Sequence, residues 1–442
     1  MTIPHSTLTY EEAPSDARLF RKVALHILPL LFISYCIAFL DRVNVGFAKL
    51  EMTQKLGISP EQYGFAAGIF FLTYAGLELP GTMMFSWLGA RKTFLRIMML
   101  WGLTVVATAF VTGATQFYIM RLLLGAFEAG FFPGMILYLT YWFPSAQRGR
   151  VTAAVFLANA LASTIAGPVS GAIMTSMDGL AGLHGWQWIF IVEGIPACIL
   201  GILCFFLLDD GPQNAAWLSG AEKSRLADIL ERDRGEGAGA AKASVMASLK
   251  DPAVYLLAVL YFAPTACNYL FNFWLPTMIK ESGVSQIMNI AWLTTIPMLC
   301  GIVGLIVVNF SSDLLRERRW HLLICYFLAA AGLLLSVWLK TSPALMLASL
   351  CVSSFGMTAI GPLFWTLPPT YLKTEAVSSG IGIVSTLGIT AGFISPTFLG
   401  YVQAQTGQIS IGLYTIAILM LICLPLIAFV LPKRATRVGE DG

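Results

Sequence analysis

The sequence predicts an all-α membrane protein: twelve transmembrane helices in two pseudo-symmetric six-helix bundles. Three observations predict it. Of the 442 residues, 57% are apolar and only 12% charged, about half the charge of a soluble domain. Apolar segments of roughly 20 residues or more, enough to cross a bilayer, recur along the whole chain. Lys and Arg then alternate between successive connections. Lipid offers backbone groups no partner, so each segment is expected to be a helix.

The segments, in order, are 21–48, 63–87, 94–113, 116–143, 150–177 and 187–208, then 252–280, 289–311, 320–340, 343–369, 377–402 and 409–432. Before the first lies a polar stretch with Glu11, Glu12, Asp16 and Arg18, which is not the pattern of a cleavable leader. Arg18, Arg21 and Lys22 precede the first span; Arg91, Lys92 and Arg96 follow the second; Arg148 and Arg150 follow the fourth. Arg316, Arg318 and Arg319 follow the eighth, and Lys433, Arg434 and Arg437 follow the last. Connections of the other parity hold only Lys49, Lys55, Lys280 and Lys340. The positive-inside rule therefore places both termini and the long central loop in the cytoplasm; the expected location is a bacterial inner membrane.

Residues 209–251 break the apolar pattern with a charged, glycine-containing run that includes ERDRGEGAG at 231–239. About Ser219 to Arg232 is expected to form an amphipathic surface helix and the rest a flexible cytoplasmic linker. The expected organisation is a first bundle (1–208), the linker (209–251), and a second bundle with a short cytoplasmic tail (252–442). The halves repeat weakly. GARK at 89–92 is answered by RERR at 316–319, Pro133 by Pro362, Gly167-Pro168 and Gly171 by Ser395-Pro396 and Gly400, and Asn44 by Asn272, all at offsets of 227 to 229. Paired six-helix bundles about a midplane site are a carrier architecture.

Charge inside spans is costly and marks function. The first span ends FLDRVNVGFAK. Asp41 and Arg42 can be read as charges snorkelling at a helix end, or as a cavity pair. In the second reading Arg42 offers planar donors to a carboxylate and Asp41 balances it or takes a proton. Arg121 and Glu128 lie seven residues apart in RLLLGAFEAGFFPG, two helical turns, so they share a face. They can serve as a structural ion pair or as proton-responsive groups. Glu78 and Glu193 suit packing or interface roles. The second half carries no acid or base within its spans apart from their ends, but offers Tyr261, Asn268, Tyr269, Asn272, Trp274, Trp365, Ser385 and Thr386. The division expected is charge and proton in the first half, substrate shape in the second. Glycines such as Gly125, Gly130, Gly134, Gly167 and Gly388 allow helices to approach and slide. The eight cysteines all fall in apolar segments and the four histidines are scattered, so neither a disulfide framework nor a metal site is expected.

In FLDRVNVGFAKL (39–50), RLLLGAFEAGFFPGMILYLTYWFP (121–144), GLHGWQWIFIVEGIPA (182–197) and ERRWH (317–321), the chain resembles the major facilitator superfamily. Within it, the resemblance is to the anion:cation symporter family and its branch of 4-hydroxyphenylacetate, phthalate, tartrate and rhamnonate permeases. GARK and SDLLRERR resemble the superfamily's cytoplasmic loop motif. The resemblance implies the major facilitator fold and proton-driven uptake of an organic carboxylate. It assigns Arg42 to the substrate anion, and Asp41, Glu128 and Arg121 to coupling. Two positions depart from the pattern. Ser86 stands where the first loop motif has its aspartate, while Asp313 keeps it in the second half. Ser385-Thr386-Leu387-Gly388-Ile389 stands where the branch reads N-S-x-G-N, which favours a less polar or aromatic carboxylate over a heavily hydroxylated sugar acid.

The expected function is a proton-coupled symporter importing an organic carboxylate by alternating access. The substrate is expected at Arg42, Asn44, Tyr261, Asn268, Asn272, Trp365 and Ser385, with proton coupling by Asp41, Glu128 and Arg121. Its partners are the small carboxylate, protons and the lipid bilayer, with no cofactor and no nucleic acid, and the chain acts as a monomer. The rival is a proton-coupled exporter of drugs or metabolites on the same fold. An enzyme is not expected, since the sequence holds no nucleophile–base set or phosphate loop.

Overall fold

The computed structural model of the chain describes residues 14–237, 245–372 and 377–431. Glu11, Glu12, Lys433, Arg434 and Arg437 lie outside the described residues. The first half runs α1 (Pro14–Leu56), α2 (Pro60–Leu88), α3 (Ala90–Thr108), α4 (Ala114–Glu128), α5 (Phe131–Thr140), α6 (Ser145–Ser176) and α7 (Gly185–Leu207). The linker carries α8 (Gly220–Gly237) and α9 (Val245–Lys250). The second half runs α10 (Pro252–Glu281), α11 (Ile287–Leu315), α12 (Arg319–Trp338), α13 (Pro343–Trp365), α14 (Leu367–Tyr371), α15 (Val377–Ile389), α16 (Ala391–Thr406) and α17 (Ser410–Pro425).

Ten of the described helical stretches are long and apolar enough to cross a membrane. Neither α2 nor α3 is among them. Glycine, tyrosine and Glu78 dilute α2, and Arg91, Lys92 and Arg96 crowd the start of α3. Both nevertheless pack into the bundle, α3 along α7 and α2 between α4 and α16. With them, each of the twelve expected spans is helical. Leu25, Leu72, Leu103, Phe206, Phe310 and Phe429 are exposed on the outside, an apolar belt suited to lipid and not to water.

Two differences from the sequence expectation matter for the site. Lys49 was expected in a connection, but α1 runs 43 residues to Leu56 and turns only at Gly57, whose φ is +64°. Nothing before Gly57 interrupts the helix, so Lys49 is carried inside, with 7% exposure. The fourth span, expected as one helix, breaks between Glu128 and Phe131. Gly130 has φ +84°, a left-handed conformation that glycine adopts cheaply. The break lies against Gly81: a Cβ on Gly81 would stand 2.4 Å from the Ala129 carbonyl oxygen. Glu128 is thus the last helical residue before an interruption, a place where a backbone turn aims a side chain.

Ser59 caps α2 through a reciprocal Ser59–Gln62 box with Pro60 in the first turn, the local signature of a sharp helix start. The linker helix α8 docks on the first half. Glu222 meets Lys22 at 2.8 Å, Arg225 meets Asp16 at 2.7 Å, and Asp233 meets Arg148 at 2.5 Å. Lys22 foremost, with the Ser219 amide, holds the Glu222 carboxyl below its usual range. Trp217 adds stacking on His26 at 4.1 Å and on Trp142 at 5.7 Å. Surface ion pairs are each worth about 0–1 kcal/mol, and here one carboxylate, Asp16, is itself buried, so the docking rests on that pair, on the number of the others and on the stacked rings.

We call the side carrying α8 and α9 the linker face and the opposite side the far face. The two halves meet mainly through α2 on α16, α6 on α11, and α1 on α10. The first two are one contact with the halves exchanged. A Cβ on Gly64 would lie 2.3 Å from the Pro396 carbonyl oxygen, and one on Gly167 would lie 2.5 Å from that of Ala291. The internal repeat of the sequence pairs Gly167 with Ser395 and places Ala291 one residue from the counterpart of Gly64. In the third contact, a Cβ on Gly46 would lie 2.4 Å from the Asn272 carbonyl oxygen. Thr295 donates to the Thr164 carbonyl at 3.3 Å, and Tyr63 to that of Phe273 at 3.3 Å. These contacts lie from mid-depth towards the far face.

Candidate functional site

Successive residues on a helix project about 100° apart, and this separates Asp41 from Arg42. The Arg42 guanidinium crosses from α1 to α4 and donates to a carboxylate oxygen of Glu128. Its charge centre lies 5.1 Å from the Tyr74 ring centre and 5.4 Å from that of Phe70. The Arg42 side chain is 15% exposed and that of Glu128 2%, so the cation is the reachable member of the pair. The bridge uses only part of each group: Arg42 Nε and Glu128 Oε2 are buried without a hydrogen-bond partner. A planar carboxylate could engage such a guanidinium with two parallel bonds.

Asp41 turns the other way, into the first six-helix group. Its Oδ2 accepts from Trp101 Nε1 at 2.6 Å, and it is 1% exposed. Deeper in the same packing, Glu193 accepts from the Ser170 hydroxyl at 3.1 Å. Asn44, expected at the substrate, is 1% exposed and lies close to Glu193. The structure does not join Asp41 to Arg42.

Arg121 is 2% exposed. It donates from Nε to the Ala66 carbonyl at 3.2 Å and from a terminal nitrogen to that of Ala67 at 3.3 Å. Those carbonyls belong to α2, whose oxygens keep a second lone pair for such donors. The approach is close because Gly125, one turn further along α4, has no side chain: a Cβ there would lie 2.2 Å from the Phe70 carbonyl oxygen. The Arg121 charge centre stands 4.9 Å from the Phe70 ring centre. Phe70 therefore lies against both arginines, and Arg121 touches the site through it.

From the second half, Tyr261 stacks on Phe364 at 5.2 Å and meets Trp365 edge-on at 4.8 Å. Gly388 makes room for that ring, since a Cβ would lie 2.0 Å from Tyr261 Cδ1. Asn268 is exposed and accepts from the Asn272 amide at 2.7 Å. Tyr269 packs its ring 4.4 Å from Phe71, bringing α10 to the level of Arg42. Ser385 and Trp365 are half-buried. Trp274 is not part of this wall. It is fully buried near the far face, 5.3 Å from the Tyr63 ring.

Sequence reasoning missed Tyr74, Phe70 and Trp101 as partners. The usable signal for Trp101 was its indole N–H in mid-span, a donor that needs an acceptor once buried. Nothing local pointed to Asp41, sixty positions earlier in the chain.

A family model described as Major Facilitator Superfamily matches residues 31–396 and again 287–441. A candidate tartrate transporter of Agrobacterium vitis is 40% identical over 92% of this chain and 90% of its own length. A quinolone resistance transporter of Acinetobacter baumannii is 39% identical over 93% of this chain and 95% of its own. Among solved structures, a bacterial homologue of the human lysosomal transporter Spinster, in an inward-facing and occupied conformation, superposes with a TM-score of 0.75. It covers 96% of this chain and 99% of that one at 13% identity, a likeness of fold.

Proposed function

Because this chain belongs to the Major Facilitator Superfamily, we propose that it imports an organic carboxylate together with protons, by alternating access between residues 1–208 and 252–442. That it is a multi-pass membrane transporter follows from the family; substrate, coupling and direction are our reading. One observation carries it: the reachable cation, Arg42, is neutralised by a buried carboxylate, Glu128. An anion that takes Arg42 must displace Glu128. In a site of low dielectric an unpaired carboxylate is very costly, so Glu128 must then take a proton. For a monoanion, anion and proton arrive together and the charge of the site is unchanged; a dicarboxylate keeps that balance only if it enters as its singly protonated form. Asn268, Asn272, Tyr261, Trp365 and Ser385 supply the opposing wall. Asp41 with Trp101 forms a second proton-accepting position behind the first, and Arg121, bound to α2, sets the field at Phe70.

The positive-inside rule makes the linker face cytoplasmic. The halves touch towards the far face, which on this reading makes the state one that opens inward; we place the carrier in a bacterial inner membrane, working as a monomer. A second reading, export, is favoured by the quinolone resistance relative. Proteoliposomes holding the purified protein separate the two. Acid outside should drive accumulation of one of L-tartrate, 4-hydroxyphenylacetate or phthalate. If none accumulates and a fluoroquinolone is instead driven against the proton gradient, the exporter reading replaces ours.

The far-face seal gives a further expectation. A methyl on Gly64 would stand 2.3 Å from the Pro396 oxygen and 2.8 Å from Gly400 Cα. Overpacking costs about 1–3 kcal/mol, and here only the far-closed state bears it. Gly64→Ala should therefore depopulate that state about tenfold and slow uptake similarly, with normal size-exclusion behaviour. Uptake at the wild-type rate would show that this contact is not part of the cycle.

A further inference from the structure

Lys49 has no role in the site described above, yet its environment is unusual. It lies seven residues beyond Arg42 on α1, two turns and roughly 10 Å along the same helix face. Its ammonium sits 4.6 Å from the Tyr63 ring centre and 4.4 Å from that of Trp274. It is 7% exposed, and Nζ has no hydrogen-bond partner. Tyr63 is on α2 and Trp274 on α10, so the two rings belong to opposite halves. The other charge within electrostatic reach is Glu281, which accepts from the Gln403 amide at 3.0 Å. Gln403 in turn accepts from Trp274 Nε1 at 3.3 Å.

An ammonium has three donors, and here none is used. Two aromatic faces recover about 0.5–2 kcal/mol each, less than an ammonium loses when its hydration is stripped. This cation is therefore held at a cost in the far-closed state. The cost ends when α10 withdraws Trp274, because the ammonium then meets water or an anion. At that moment Lys49 is the newly uncovered cation between the far-face rim, where Lys280 stands exposed with its ammonium on the Leu50 carbonyl at 2.9 Å, and Arg42.

Building on the carboxylate reading, we propose that Lys49 is a second carboxylate station at the far-face mouth. Tyr63 and Trp274 sheath it while that face is closed, and it is released to receive the substrate anion when the halves part. An anion that binds Lys49 only in the far-open state favours that state by its differential affinity. External substrate thereby promotes its own admission, and the anion then passes two turns inward to Arg42.

Acylation of wild-type protein in intact cells with membrane-impermeant sulfo-N-hydroxysuccinimide acetate, read by peptide mass spectrometry, tests the exposure. Lys55 is exposed beyond Lys49 on the same helix and reports that the reagent has reached the far face. Lys49 should be acylated more slowly than Lys55, faster in Trp274→Ala, and several-fold more slowly in the presence of a transported carboxylate from the panel above. Labelling of Lys55 with none at Lys49, or labelling of Lys49 that no carboxylate slows, overturns the station. Kinetics separate it from a plain latch. Lys49→Met should raise the KM for external carboxylate about tenfold and leave the KM from the linker face unchanged, while Lys49→Arg stays within about threefold of wild type. A latch would act in the opposite sense, since losing it eases far-face opening. If wild-type protein moves no carboxylate at all, the carboxylate reading fails by itself. That result is distinct from transport that proceeds with Lys49 insensitive.

Discussion

Arg42→Gln is expected to lower carboxylate uptake at least about a hundredfold, with Arg42→Lys recovering only part of it. Charged hydrogen bonds contribute about 1.5–3 kcal/mol each. A guanidinium that engages a carboxylate with two of them thus supplies about 3–6 kcal/mol, and each 1.4 kcal/mol is tenfold. Glutamine keeps some of the bulk but offers no charge. Lysine restores the charge as a single point and cannot present the planar fork. The loss should appear in substrate binding from both faces, because Arg42 stands between them. Removing Arg42 also leaves Glu128, buried and 2% exposed, without its cation. Glu128 would then hold its proton, so the double variant Arg42→Gln/Glu128→Gln should fold no worse than the single one. Equilibrium binding of a transported acid to purified protein is the measurement; near wild-type affinity in Arg42→Gln would remove Arg42 from the substrate site.

Glu128→Gln is expected to abolish accumulation driven by a pH gradient while preserving exchange of labelled for unlabelled substrate. Glutamine is close in shape to a protonated glutamate and can still face Arg42, but it has no proton to release. On the proposed coupling, an anion takes wild-type Arg42 only when Glu128 carries a proton, so binding is expected to weaken as pH rises and to be strongest in acid. The sign follows from which form binds: the protonated carboxyl goes with the loaded site. In Glu128→Gln the guanidinium is always available, so binding should lose that pH dependence and remain strong in alkali. A variant that still accumulates substrate against its gradient would shift coupling to Asp41, the buried carboxyl bonded to Trp101. A variant that loses exchange as well would give Glu128 a part in holding the substrate-bound geometry.

Both predictions concern residues legible in the sequence, because charge inside an apolar segment stands out wherever it falls. Arg42, Arg121 and Glu128 were visible for that reason. Their partners were not. Arg121 is held by two backbone carbonyls of α2, which no side-chain pattern announces. Asp41 adjoins Arg42 in the chain and parts from it in space, since one helical step turns the next side chain through about 100°. The interruption after Glu128 depended on how closely α2 approaches Ala129 and Gly130, and Gly130 in the sequence was equally compatible with an unbroken helix.

By itself the sequence determined the helical spans, the face that carries basic loops, the repeat that relates the halves, and the short set of charges that lipid would not tolerate. Each is a sum of transfer costs along the chain, and such sums need no knowledge of neighbours. Only the tertiary structure decided which charge meets which: Arg42 with Glu128, Asp41 with Trp101, Lys49 between Tyr63 and Trp274. Pairing energies fall off within a few ångströms and depend on direction, so they exist only once helices distant in sequence have been brought to a common depth and rotation.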